Sequence, residues 1–127
     1  MNAVHPLVLV ALGGALGSMA RYGAAAGVNR YAQSAFPFGT LFVNIAGSFL
    51  IGLIMVWLLK AGEWRENYRL LLVTGVMGGF TTFSSFSWET WTLIEDGRIP
   101  LAMANVLLSV AICLLATVAG AMLAKQF

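Results

Sequence analysis

The sequence predicts an all-α membrane protein with four transmembrane helices, the third broken over 75–81. Three observations predict it. The chain is 60% hydrophobic and only 9% charged, against roughly 25% charged residues in soluble domains. The apolar residues fall into four stretches, at about 5–29, 39–60, 69–95 and 100–124, forming one membrane domain over 1–127. Each has the length that crosses a bilayer. The third contains Gly75-Val76-Met77-Gly78-Gly79-Phe80-Thr81-Thr82-Phe83-Ser84-Ser85-Phe86-Ser87-Trp88-Glu89, in which glycines precede hydroxyls interleaved with phenylalanines.

The first span carries Arg21 as its only charge. A charge at that depth either snorkels to an interface or pairs internally. Gly13 and Gly17, and again Gly23 and Gly27, are spaced by four, which lets helices approach closely. The polar, proline-containing stretch 29–38 then reads as a connection. In the second span Thr40, Asn44 and Ser48 step by four along one helical face. An asparagine in the membrane is costly unless hydrogen-bonded. It reads either as helix–helix glue or as part of a donor lane.

The stretch 60–69 is the most polar loop, with Trp57, Trp64 and Tyr68 as interfacial anchors. The third span follows. Glycine costs roughly 1 kcal/mol relative to alanine inside a helix, so the cluster Gly75, Gly78, Gly79 reads as a break. Irregular backbone at membrane depth occurs only where protein buries it or a cavity wets it, and its freed carbonyls suit a monovalent cation. Phe80, Phe83 and Phe86 form a stripe. Aromatic edges are electropositive, and hydroxyls and amides donate hydrogen bonds. Together they offer a small anion a path without a fixed cation that would hold it too tightly. Composition leaves a blander alternative open, in which the rings pack and the hydroxyls bond to their own helix.

Glu95-Asp96-Gly97-Arg98 reads as a turn, and Pro100 suits the first turn of the fourth span. There Asn105, Ser109, Cys113 and Thr117 again step by four, and Ala116, Gly120 and Ala124 form a small-residue seam. An even number of spans puts both termini on one side. That side carries Lys60, Arg65, Arg69 and Lys125, against Arg30 and Arg98, plus Arg21 if it snorkels. The bias is weak and leaves room for insertion in both orientations and an antiparallel dimer. Four short spans enclose a pore poorly, so self-association is expected.

The composition excludes other classes. Net charge is +2 with scattered basic residues, so no nucleic-acid patch exists. Cys113, the sole cysteine, has no disulfide partner in the chain and reads as a packing residue. His5, the sole histidine, reads as an interfacial residue, and no span pairs two carboxylates. No enzyme constellation is present. The N-terminus lacks a basic leader, so the first apolar stretch reads as a span rather than a signal peptide.

Three motifs carry a family resemblance: Gly13-Gly14-Ala15-Leu16-Gly17-Ser18-Met19-Ala20-Arg21-Tyr22, Gly39-Thr40-Leu41-Phe42-Val43-Asn44-Ile45-Ala46-Gly47-Ser48-Phe49, and the 75–89 stretch. With them the chain resembles the Fluc/CrcB family of fluoride channels along essentially its whole length. The resemblance implies an antiparallel, dual-topology homodimer in the bacterial inner membrane, with two pores passing fluoride passively outward. It places fluoride-coordinating rings at Phe83 and Phe86 and the pore asparagine at Asn44, with Thr40 one turn before it. It implies a structural Na+ at the dimer interface, held by backbone carbonyls of Gly78 and Thr81, with Ser84 as a hydroxyl neighbour that belongs to the fluoride pathway. It implies a fourth-span polar track of Asn105, Ser109 and Thr117. Some members carry tyrosine at the position of Asn105 and serine at that of Cys113. Arg21 and Glu89 match vestibule positions, and Phe80 matches no coordinating position.

Two other classes compete. A proton-coupled exporter of the small multidrug type also has four spans and dual topology, but it uses a carboxylate in the first span, which this chain lacks. A non-transporting scaffold subunit leaves the polar lanes without a purpose.

Overall fold

The computed structural model describes residues 4–127, and every described element is helical. Helix α1 spans Pro6–Ala32. Its start is set by Pro6 in the first turn and by His5, whose Nδ1 accepts from the Leu7 N–H at 3.1 Å. It ends at Gln33, in the left-handed region at φ 45°. The expected connection at 29–38 is therefore shorter, because Asn29 through Ala32 stay helical. Polarity did not end the helix, since helical backbone carries polar side chains readily beyond the apolar zone. Asn29 instead caps the next element. Its Oδ1 accepts from the Gly39 N–H at 2.9 Å, at the start of α2, Phe38–Leu58.

The third crossing begins earlier than the sequence suggested. A 3₁₀ turn at Gly62–Trp64 leads into α3, Arg65–Tyr68, and a π-helical segment, Arg69–Met77. The polar loop is thus mostly helix, and it carries an exposed Arg69–Glu66 ion pair at 2.6 Å. Helix α4, Gly78–Phe80, continues the crossing, and α5, Phe83–Glu95, completes it. Between them Thr81 (φ −92°, ψ 158°) and Thr82 (φ −152°, ψ 113°) are extended. The interruption lies at the end of the expected 75–81 window and one residue past it. Gly75, Gly78 and Gly79 are themselves helical. Two of them serve close packing instead: a Cβ on Gly75 would lie 2.8 Å from the Gly13 Cα, and one on Gly79 2.6 Å from the Gly14 carbonyl oxygen.

Gly97, at φ 75°, turns the chain, and the Arg98 N–H donates back to the Leu93 carbonyl at 2.7 Å. Helix α6, Ile99–Ala124, follows, with Pro100 in its first turn. All four long crossings are apolar enough to span a bilayer. The most extensive pairings are α2 on α6 and α1 on the π-helical segment. Even α2, the most enclosed span, has only 28% of its apolar window buried. The remaining surface is fit for lipid or for another copy of the chain.

Candidate functional site

The two extended threonines organise the site. Ending a helix at membrane depth strands donors and acceptors that no water meets, and side chains from two neighbouring helices take them up. Asn44 on α2 faces Thr82. Its Oδ1 accepts from the Thr82 N–H at 2.8 Å, and its Nδ2 donates to the Thr82 carbonyl at 3.1 Å. Arg21 on α1 donates from Nε to the Gly79 carbonyl at 2.9 Å. Thr81 closes the preceding helix, with both its N–H and its Oγ1 donating to the Met77 carbonyl. Thr82 opens the next helix as its N-cap, its Oγ1 accepting from the Ser85 N–H at 3.1 Å. Ser84 sits beside it, Oγ to Oγ1 at 3.2 Å, and is exposed.

The interruption leaves backbone carbonyls without their usual helical donors. In a continuous helix the Gly78 carbonyl accepts from the N–H four residues on. That N–H belongs to Thr82 and points to Asn44 instead. Among the described residues no side chain and no non-helical N–H donates to the carbonyls of Gly78, Phe80 or Thr81.

A cavity of about 440 Å³ opens beside this interruption, bordered among others by Asn44, Gly78, Thr81, Phe83, Phe86 and Ser109. No acidic or basic side chain borders it among the described residues. The Phe83 and Phe86 rings lie 5.3 Å apart at 48°. Phe86 is buried at 8% exposure, whereas Phe83 is 75% exposed and projects from the open side. Phe80 stands apart, lying over Gly47, where an added Cβ would come within 3.3 Å of its ring.

A chain of polar groups continues along α5 and α6. Asn105, 1% exposed, donates from Nδ2 to the Thr90 Oγ1 at 2.9 Å, and Ser109 lies 3.4 Å from the Asn105 Oδ1. Thr90 in turn donates to the Phe86 carbonyl at 2.8 Å. On the other flank Thr40 donates to the Glu89 Oε2 at 2.9 Å, while the buried Oε1 has no partner among the described residues. Of the residues singled out by sequence, those bordering the cavity come together. Thr40 and Glu89 pair with each other, and Arg21 binds the helix end. Thr117 is separate: its hydroxyl donates to the Ser48 and Cys113 carbonyls and ties α6 to α2. Sequence reasoning missed Thr82 and Thr90. Only their adjacency to Phe83 and Phe86 on the helical pattern signalled them.

Comparison with known proteins is consistent across the chain. The profile of the family described as CrcB-like protein, Camphor Resistance (CrcB), matches residues 8–121. A protein of Geobacter sulfurreducens named fluoride-specific ion channel FluC is 52% identical over 94% of this chain and 97% of its own length. Identically named proteins of Anaeromyxobacter sp. and Hahella chejuensis are 49% and 42% identical, over 94% and 98% of this chain and the same shares of their own lengths.

Proposed function

The chain belongs to the CrcB family, and from that membership we propose that it is a fluoride-specific channel, exporting fluoride passively across the bacterial inner membrane. It is not an enzyme. One observation carries the reading within this chain: Phe83 and Phe86 border a cavity whose polar groups are all neutral donors or backbone. Ring edges and amide or hydroxyl donors stabilise a dehydrated anion. With no fixed cation on the wall, the anion is free to leave. The polar run from Thr90 through Asn105 to Ser109 continues on the same side, with Asn105 and Ser109 buried and its hydroxyl hydrogens engaged within the protein.

The working unit in this proposal is an antiparallel homodimer with two pores, each lined by both copies. The open side of the cavity and the exposed Phe83 support a second copy there. Arg21, tied to Gly79, leaves the loop charge count. Lys60, Arg65, Arg69 and Lys125 then oppose Arg30 and Arg98, a small enough difference for dual insertion.

A structural sodium ion fits the interruption. Hard monovalent cations take oxygen ligands, and carbonyls of unwound helix supply them. The carbonyls of Gly78 and Thr81, left without their usual helical donors, meet that requirement, and an inverted copy would double them. The ion would supply positive charge that ties the two copies at their centre. Gly78 also has open space on its cavity side: an added Cβ would meet only the Val73 carbonyl, at 3.7 Å.

The exporter alternative is not favoured. Helix α1 has no acidic residue, and Glu89 on α5 is engaged by Thr40. The test is fluoride efflux from vesicles reconstituted with purified protein. Rapid, electrogenic efflux without a proton gradient is expected. Efflux that requires a proton gradient, or none, would overturn the channel reading.

A further inference from the structure

We infer that Asn44 is the positioning residue that keeps the Gly78 carbonyl free for a cation, a task distinct from contacting the anion. The inference rests on the cation reading above. Its basis is the fate of one proton. The Thr82 N–H is the natural helical donor to the Gly78 carbonyl, and the Asn44 Oδ1 takes it at 2.8 Å. The Nδ2 of the same side chain closes a second bond, to the Thr82 carbonyl at 3.1 Å. The amide thus pairs with both polar groups of one extended residue, as a neighbouring strand would.

Asn44 is well placed to hold this geometry. The preceding residue, Val43, is fully enclosed at 0% exposure, and Gly47, one turn on, lies against Phe80 and Thr81. Without an acceptor at this position the Thr82 N–H would be stranded at membrane depth, where an unmade bond is costly. The nearest remedy is the Gly78 carbonyl. Taking it closes the helix across Thr81 and removes an oxygen from the cation site. Asn44 also borders the cavity, and the second hydrogen on its Nδ2 remains for an anion. One side chain therefore serves both ion sites through different atoms.

The two atoms are separable by substitution. Asn44→Leu removes acceptor and donor together. Asn44→Asp keeps the acceptor for the Thr82 N–H and loses the amide donor. The readout is retention of sodium-22 by purified protein of unchanged oligomeric state, measured beside fluoride efflux. Asn44→Leu is expected to weaken sodium retention by about tenfold or more, the scale of one lost buried hydrogen bond. Asn44→Asp is expected to stay within about threefold of the parent, since the acceptor bond is kept. If Asn44→Leu does not assemble, Asn44→Ala, which removes the same acceptor with less bulk, decides in its place: weakened sodium retention supports the inference and parent-like retention overturns it. Parent-like retention in Asn44→Leu would leave Asn44 as an anion contact only and overturn the inference while the cation reading stands. A parent protein that retains no sodium overturns both.

Discussion

The guanidinium of Arg21 reaches from α1 to the end of α4, where its Nε donates to the Gly79 carbonyl at 2.9 Å. The charge faces the carbonyl end of a helix, the negative end of its dipole. This explains how an arginine is tolerated in the first span. It is spent on a helix terminus that the interruption at Thr81 leaves without donors.

Arg21→Lys tests whether the bond or the charge matters. Lysine keeps the charge but places a carbon where Nε stands. The Gly79 carbonyl then loses its donor, and stability is expected to fall by about 1 kcal/mol, the usual net worth of one hydrogen bond. Thermal unfolding in detergent measures it. A parent-like midpoint would show that charge alone suffices.

The four crossings were legible because a bilayer requires long apolar runs, and the chain has four of them. The irregular parts were less so. Glycines at 75, 78 and 79 suggest a break by propensity, yet the interruption falls on two threonines: Thr81 bonds back to Met77, and Thr82 finds its backbone partner across the bundle in Asn44. Propensity is local, whereas Asn44 and Arg21 act from other helices. The polar step Thr40, Asn44, Ser48 correctly marked one face of α2, but it could not say that Thr40 meets Glu89 and Asn44 meets Thr82. The π-helical run Arg69–Met77 has no signal in composition. The fluoride reading entered through motif resemblance, and the family match carries it.

Phe83 and Phe86 are expected to separate in stability while agreeing in function. Replacing either with isoleucine removes an electropositive ring edge, and fluoride efflux should fall by about tenfold or more if each edge is worth a kcal/mol or so. Phe86→Ile should also lower stability by about 1–2 kcal/mol, because Phe86 is 8% exposed and packed. Phe83→Ile should leave folding unchanged, since the ring is 75% exposed within one copy. Efflux and thermal unfolding on the same preparations check this. Undiminished efflux in both variants would remove the rings from the path.

The two glycine pairs of α1 are expected to behave oppositely. A Cβ on Gly13 would lie 2.9 Å from the Gly75 Cα, where only backbone shifts could relieve it. Gly13→Ala should therefore destabilise by about 1–3 kcal/mol despite alanine's better helix propensity. Gly23 has nothing within 4 Å of an added Cβ. Gly23→Ala should be neutral or stabilising by up to about 1 kcal/mol. Thermal unfolding decides both. Loss of self-association in Gly23→Ala alone would place that face at a contact between copies instead.

Orientation is the last expectation. With Arg21 held inside the bundle, the basic residues outside it differ little between the two sides, so reporters fused at the C-terminus should score both orientations. Adding lysines to the terminal side, with Glu63→Lys and Gln126→Lys together, should drive the chain into one orientation. An antiparallel pair then cannot form, and fluoride efflux should fall to background. Co-expression with a chain biased the other way, through Gln33→Lys and Asp96→Lys, should restore it. Restoration requires that the two orientations meet in one assembly. Full efflux from the singly oriented variant would mean that parallel copies suffice, and the antiparallel dimer would be abandoned.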